Sequence, residues 1–500
     1  MENQKSLVLV TVDCLRADHV GFMGYQRPTT PFLDQLASES FVVPSAMVAG
    51  APTYYSFPAI HASRYPLALG RDVLGIGPDE TTLASRLRAG GYATAAFGAA
   101  NPYISARFGY DQGFETFQDF LSGELKPPSV EATAAVASNG RWTKLNQNLE
   151  RVAHAAGPLG RVYDSLYFEY CQRWATPRPQ SLDELRRFPS ADVIVDHALD
   201  WLASAEDRPF FLWLHFMDPH APYYPKSEAL DLMRTRRVSP FQARYVNSSW
   251  NRSDLSPSGL RRYREKVVAL YDAGIRWADE QLARLIAKLR ESGRWESCVF
   301  ALTADHGEEF LEHGGRFHPP SSAAEEIQHV PLLLRVPGVK KRAATSSVFS
   351  LLHLAPTLLD IVGISVPNSF EGESHWKSVR DGELWDEPAI AESIAECTNP
   401  FRHENRFGSR ILVVREGHMK LVLQLATGAA ELYDLHADPT GTSPLSFDAQ
   451  KSVRRRLLEV ARNHLQSSRS RRDPELRLRS RLRDLQLDGL SKAAPCGGQG

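Results

Sequence analysis

The sequence predicts an α/β protein: a large, mostly parallel central sheet between helices, followed by a smaller antiparallel sheet near the C-terminus. Three observations carry this. Short apolar runs recur at Leu7–Val12, Phe210–Phe216 and Cys298–Thr303, rich in β-branched or aromatic residues, as strands buried on both faces are. Segments with helical spacing alternate with them. Beyond about residue 381 the pattern changes to short stretches typical of a small antiparallel sheet.

In chain order, Leu7, Val8, Leu9, Val10 and Val12 form the first strand, which stops at Asp13. Pro31 opens a helix through Phe32, Leu33, Leu36 and Ala37, with Thr30 as its cap. Phe41–Val43 is a short strand, and Ala51–Pro66 is dense in hydroxyls and aromatics and bounded by prolines. Thr82 starts a helix that turns Leu83 and Leu87 inward and closes at Gly90-Gly91, after which Tyr92–Phe97 is a strand. Residues 121–190 break the rhythm and read as an inserted, partly helical cap. A helix over Val193–Leu202 leads into the strand Phe210–Phe216, and residues 226–257 read as a second, irregular insertion. A long amphipathic helix carries Val267, Leu270, Trp277, Leu282 and Leu289 and stops at Gly293. The strands Cys298–Thr303 and Val330–Val336 and a helix around Ala355–Val362 complete a first domain over residues 1–380. Ile411–Val414, His418–Leu423 and Ala430–Leu435 give the small sheet of a subdomain over 381–465. Residues 466–500 are a basic tail. Its stretch Arg469–Arg483 holds seven arginines and reads as a solvated helix or a frayed end.

Composition narrows the function classes. Lys and Arg number 58 against 59 Asp and Glu, a net charge of -1, so no global charge steers the chain to nucleic acid or to a membrane surface. No apolar run is long enough to span a bilayer, and the N-terminus leads straight into the first strand. The five cysteines, Cys14, Cys171, Cys298, Cys397 and Cys496, are scattered and show no zinc-type spacing. The expectation is a cytoplasmic protein without a membrane span or a nucleic-acid partner.

The three buried strands end in groups suited to chemistry: Asp13; His215, Asp218 and His220; Asp305 and His306. Ligands of open α/β sheets bind beyond the carboxyl ends of the strands. Carboxylates and imidazoles gathered there make a mixed oxygen and nitrogen site for a divalent cation, and without one such charges resist desolvation.

With those residues in place, the chain resembles the sulfatase branch of the alkaline phosphatase superfamily. The motifs are V-T-V-D-C-L-R-A-D-H at Val10–His19, G-Y-A-T-A-A-F-G at Gly91–Gly98, H-F-M-D-P-H-A-P-Y at His215–Tyr223, T-A-D-H-G-E-E at Thr303–Glu309, H-V-P-L-L-L-R-V-P-G at His329–Gly338, H-M-K-L-V around Lys420 and E-L-Y-D-L-H-A-D-P at Glu431–Pro439. The resemblance implies an alkaline-phosphatase-like sandwich and a metal-dependent hydrolase that cleaves a sulfuric or related phosphate ester through a covalent intermediate. It implies Asp13, Asp305, His306 and Thr53 as metal ligands, with Ca²⁺ ahead of Mn²⁺, Mg²⁺ or Zn²⁺. Thr53 falls at the nucleophile position by register from Pro66. His220 would protonate the leaving oxygen, and His318 would contact the anionic group. Asn101 and His215 would contact substrate. The implied substrate is an anionic ester on a carbohydrate or a lipid head group.

The chain also departs from the family pattern. The family's C/S-x-P-x-R, whose Cys or Ser is oxidised to formylglycine, is replaced by Thr53, Tyr55 and Phe57 at its fixed positions. The expectation is therefore direct attack by the Thr53 hydroxyl rather than by a formylglycine hydrate. Cys14 stands where a second Asp is common, and a thiol is a soft ligand beside a hard cation. A Thr-nucleophile phosphodiesterase or phosphoryl transferase is the alternative within this chemistry. A non-catalytic relative that binds an anionic ligand is the alternative outside it.

Overall fold

A computed structural model of the chain describes residues 4–71, 73–121, 149–155, 158–204, 208–234, 238–339 and 347–472. Its centre is an eight-stranded sheet in the order β10-β2-β9-β6-β1-β5-β3-β4. The strands are β1 (Ser6–Val12), β2 (Phe41–Met47), β3 (Ala93–Gly98), β4 (Thr116–Gln118), β5 (Phe210–Phe216), β6 (Cys298–Ala304), β9 (His329–Arg335) and β10 (Phe349–Ser350). Between β6 and β9 lies the two-stranded ribbon of β7 (Glu309–Phe310) and β8 (Arg316–Phe317). In the large sheet β9 alone runs antiparallel to its neighbours.

β1, β5 and β6 are adjacent and parallel and are buried along their whole length. Their apolar residues have no solvent face to choose, which is why these strands read as unbroken apolar runs. Each large aliphatic or aromatic side chain buried there contributes about 1.5–3 kcal/mol relative to exposure. The helix Pro257–Glu291 packs close to the end of β5. A Cβ on its Gly274 would lie 2.4 Å from the carbonyl oxygen of Asp218, so glycine is what lets the helix seat the loop that carries His220.

The second sheet is antiparallel, in the order β11 (Ala389–Ile394), β12 (Arg410–Glu416), β13 (Met419–Gln424) and β14 (Ala429–Asp434). One of its two edge strands, β11, is not expected from the sequence. The helix Lys451–Arg472 starts well before the tail that reads as a solvated helix or a frayed end; its Leu457 and Ala461 pack against Leu412, Val414, Leu421 and Leu432 of the sheet.

Two local expectations are corrected. Thr30 precedes Pro31 but makes no capping bond. Its hydroxyl accepts from the Gly21 amide and donates to Asp34, which satisfies the loop before the helix instead. Residues 226–257 are not irregular: they contain the helices Ser227–Leu232 and Pro240–Trp250. A capping box between Ser239 and Gln242, with Pro240 in the first turn, starts the second of these. The segment expected as an inserted cap holds a helix at Pro158–Tyr170. Its residues 122–148, and the part of the basic tail from residue 473, lie outside the described residues.

Candidate metal and catalytic site

Asp13 follows β1 and keeps its strand ladder, its amide donating to the Phe216 carbonyl at 2.8 Å. Its carboxylate thus emerges between the ends of β5 and β6, where Asp305 follows β6. The chain turns at once after Asp13. Cys14 takes a left-handed backbone with φ of 51°, and its amide donates to Asp305 Oδ1 at 3.2 Å. The His306 amide donates to the same oxygen at 3.1 Å. Both carboxylates are fully buried.

The ligand atoms of Asp13, Asp305 and His306 all lie within 4.8 Å of one another, so these residues could hold a metal ion. Two observations test the fit. Asp13 Oδ1 and Asp305 Oδ2 are buried and have no hydrogen-bond partner. Buried carboxylate oxygens left that way are costly unless a cation compensates them. His306 donates from Nδ1 to the Gly307 carbonyl at 2.9 Å, which leaves the lone pair of Nε2 facing the carboxylates. Nε2 is 3.7 Å from Asp13 Oδ1 and 3.5 Å from Asp305 Oδ2. The donor set fits a divalent cation. Electrostatics separate the two carboxyls. Burial and the neighbouring Asp13 push Asp305 up, whereas Asp13 is held down despite burial by His220, His215 and His306.

Thr53 is the first residue of the helix Thr53–Ala62, and Pro52 occupies its cap position. The Thr53 hydroxyl does not cap the helix; it lies 3.2 Å from His306 Nε2. Its oxygen sits at the positive end of the helix dipole, where negative charge is favoured.

His220 donates from Nδ1 to the Ala221 carbonyl at 2.5 Å, which directs Nε2 outward. Its ring stands 5.1 Å from that of His318, and the His318 ring 4.4 Å from that of His306. His318 Nδ1 is 3.2 Å from Glu308 Oε1, a fully buried carboxylate. Glu308 lies in the T-A-D-H-G-E-E motif, which by itself gives it no part. Thr53, His220, His306 and His318 therefore share one wall.

Asn101 and His215 are brought to the same place but face Asp13. Asn101 Nδ2 donates to Asp13 Oδ2 at 2.9 Å while its Oδ1 accepts from the Tyr103 amide at 3.0 Å. His215 Nδ1 pairs with Thr11 Oγ1 at 3.0 Å, and its Nε2 is 3.7 Å from Asp13 Oδ2. Asp218 is elsewhere. It pairs with Arg186 at 3.0 Å and accepts from the Ala191 amide at 2.9 Å, so it holds the start of the helix Ala191–Ser204.

Two other groups have ligand-type side chains close together: Cys14, Glu308 and His318, and His353, His375 and Glu387. Burial and the carboxylates of Glu308, Asp13 and Asp305 push the Cys14 thiol well up, so it stays protonated and a poor ligand. His353 Nδ1 accepts from the Glu373 amide at 3.0 Å, so in the neutral ring Nε2 carries the proton and faces Glu387 as a donor.

The family model Sulfatase matches residues 5–364, and a second, N-sulphoglucosamine sulphohydrolase, C-terminal, matches residues 322–467. An arylsulfatase of Clostridium perfringens (strain 13 / Type A) is 24% identical over 393 residues, which is 74% of this chain and 77% of that protein. The phosphonate monoester hydrolase of Agrobacterium radiobacter superposes with a TM-score of 0.63 at 18% identity, over 94% of this chain and 96% of that one. A protein solved in complex with its substrate D-glucosamine-2-N,6-O-disulfate superposes with a TM-score of 0.65 at 17% identity, over 94% of this chain and 99% of that one. The chain thus belongs to the sulfatase family, the sulfuric ester hydrolases of the alkaline phosphatase superfamily.

Proposed function

We propose that the protein is a metal-dependent hydrolase that cleaves a sulfuric ester, with Thr53 as its nucleophile. The observation that carries this is the placement of the Thr53 hydroxyl at a helix N-terminus, 3.2 Å from His306 Nε2, beside two buried carboxylates with unpartnered oxygens. Asp13, Asp305 and His306 would hold the ion with Thr53. Ca²⁺ is the first candidate, and the imidazole among the donors also admits Mn²⁺. When bound, the ion would lower the pKa of the Thr53 hydroxyl and offset the charge on the ester's oxygens. The Thr53 hydroxyl, its proton lost to water, attacks sulfur through its oxygen and the bond to the leaving oxygen breaks. Protonated His220 gives that oxygen its proton. His318, steadied by Glu308, binds the anionic oxygens. Water then attacks the sulfur of the Thr53 ester, His220 takes a proton from it, and Thr53 is regenerated.

The substrate fits an anionic ester on a carbohydrate or lipid head group. A phosphate ester, hydrolysed as a diester or passed to an alcohol acceptor, is the second reading. It is favoured by the threonine at position 53, a plain hydroxyl where the family pattern has a formylglycine precursor. Domain limits of 1–380, 381–465 and 466–500 and a cytoplasmic location belong to this reading; the described cysteines are unpaired, which suits a reducing compartment.

The test is hydrolysis of matched aryl sulfate, phosphate monoester and phosphodiester substrates by wild type and Thr53→Ala. Chelator-treated protein is reloaded with Ca²⁺, Mn²⁺, Mg²⁺ or Zn²⁺. Metal-dependent sulfate release abolished by Thr53→Ala is expected. Phosphodiester turnover alone would favour the second reading. Sulfate release unaffected by Thr53→Ala would overturn the nucleophile. Silence on all three esters without bound metal would favour a non-catalytic anion binder.

A further inference from the structure

The small C-terminal sheet grips the segment that carries Thr53 from both ends, through one residue. Glu392 lies in β11 and is almost completely buried. Its amide donates to the carbonyl of Ala49 at 3.0 Å, four residues before Thr53. Its Oε1 accepts from the amide of Leu67 at 2.8 Å, beyond the end of the helix Thr53–Ala62. Its Oε2 pairs with His464 Nε2 at 3.0 Å and with Arg410. Arg410 belongs to β12 and His464 to the helix Lys451–Arg472, so the carboxylate is anchored on two further elements of the C-terminal unit.

The fit leaves no room for adjustment. A Cβ on Gly50 would lie 2.6 Å from the Glu392 carbonyl oxygen and 3.0 Å from both Pro66 and Tyr55. Tyr65 packs edge-on against the His464 ring at 4.5 Å. The Tyr54 hydroxyl donates to the Cys397 carbonyl just past β11. Burial pushes the Glu392 carboxyl up, but His464 and Arg410 outweigh it and hold it at about 2, so it is ionised and accepts strongly.

We propose that Glu392 is a positioning residue: it ties Ala49 and Leu67 to the C-terminal sheet and so fixes the N-terminal turn of the helix that presents the Thr53 hydroxyl. This rests on the reading of Thr53 as nucleophile. It makes the C-terminal unit part of the reaction geometry although it supplies none of the site residues named above. Backbone displaced by about 1 Å at such a position lowers turnover about a hundredfold without removing a substrate contact.

The experiment compares Glu392→Ala, Glu392→Gln and a control, Asp279→Ala, in the full-length protein. Asp279 is another buried carboxylate that receives backbone amides, those of Phe32 and Leu33, but it touches neither the Thr53 helix nor the site. Turnover on the ester that wild type hydrolyses is measured at a temperature where each variant is folded, together with amide hydrogen exchange over residues 48–67. Glu392→Ala should lower kcat about ten- to a hundredfold with KM within threefold, and should speed exchange over 48–67 ahead of the rest of the chain. Glu392→Gln keeps an acceptor for Leu67 and should recover part of both. Asp279→Ala should lower the melting temperature and leave kcat unchanged. Should Glu392→Ala fold poorly, His464→Ala, which removes one anchor and leaves Leu67 its acceptor, is expected to change kcat and exchange in the same direction.

Wild-type kcat and wild-type exchange over 48–67 in Glu392→Ala would overturn the proposal. So would a loss of kcat that Asp279→Ala reproduces at an equal loss of melting temperature. Thr53→Ala is run alongside. Activity that survives in it overturns the nucleophile, whereas the exchange over 48–67 reports on the Glu392 tie to Ala49 and Leu67 independently of turnover.

Discussion

Asn101→Ala offers a sharp reading of how the site is organised. The Asn101 amide donates to Asp13 Oδ2 at 2.9 Å and is itself buried and pinned by the Tyr103 amide. Removing it leaves both oxygens of a fully buried carboxylate without a neutral donor, because Asp13 Oδ1 already has none. Stranding a buried polar group costs about 1–3 kcal/mol. A partner that orients a metal-ligating carboxylate is worth about ten- to a hundredfold in metal affinity, or about 1.4–2.7 kcal/mol. The first figure is read as lost stability of the metal-free protein and the second as affinity, so the variant should bind its ion about ten to a hundred times more weakly. Isothermal titration of metal into chelator-treated protein reads this directly. Activity should return towards wild type at saturating metal with little change in KM. A variant with unchanged metal affinity and a raised KM would refute the reasoning and place Asn101 on the substrate.

Further outcomes follow from other sites. His220→Asn should lower kcat about a hundred- to ten-thousandfold for alkyl esters and much less for a nitrophenyl ester, whose leaving oxygen needs no proton. Asp279, pushed up to about 7 by burial, binds its proton more tightly folded than unfolded. Its contribution to stability therefore declines as pH rises from about 4 to 7, and Asp279→Asn should flatten that part of the unfolding curve measured in urea at several pH values. Leu457→Ala removes a fully buried side chain between the helix Lys451–Arg472 and the small sheet; it should cost about 2–5 kcal/mol in denaturant unfolding.

The sequence showed the parts of the site that sit where a pattern changes. Asp13, His215 and Asp305 close or follow apolar runs, and the structure places those runs side by side. Thr53 is singled out by its distance from Pro66 along an ungapped segment, and the structure makes it the first residue of the helix Thr53–Ala62. What stayed hidden depends on where a side chain points. Asn101 and His215 read as substrate contacts, and their further contact with Asp13, made by the pairing of β3 with β5 and of β5 with β1, is not visible in the sequence. Asp218 shares a loop with His220 yet turns the other way, to Arg186. β11 escaped notice because Glu392 and Ser393 look like surface residues, and their burial is made tolerable only by partners distant in sequence. The helix Pro240–Trp250 and the first turns of the helix Pro257–Glu291 were hidden by serines and prolines that read as loop, although Ser239 and Ser256 act as caps.

The most direct test of the central claim is to trap the covalent intermediate. Wild type and His220→Asn are mixed with an aryl ester, quenched in acid within the first turnover, digested and mapped by tandem mass spectrometry. The account predicts a sulfuryl group, or a phosphoryl group from a phosphate ester, on Thr53 and on no other residue. Turnover with Thr53 unmodified in both proteins, or the group found on Ser56 instead, would contradict it.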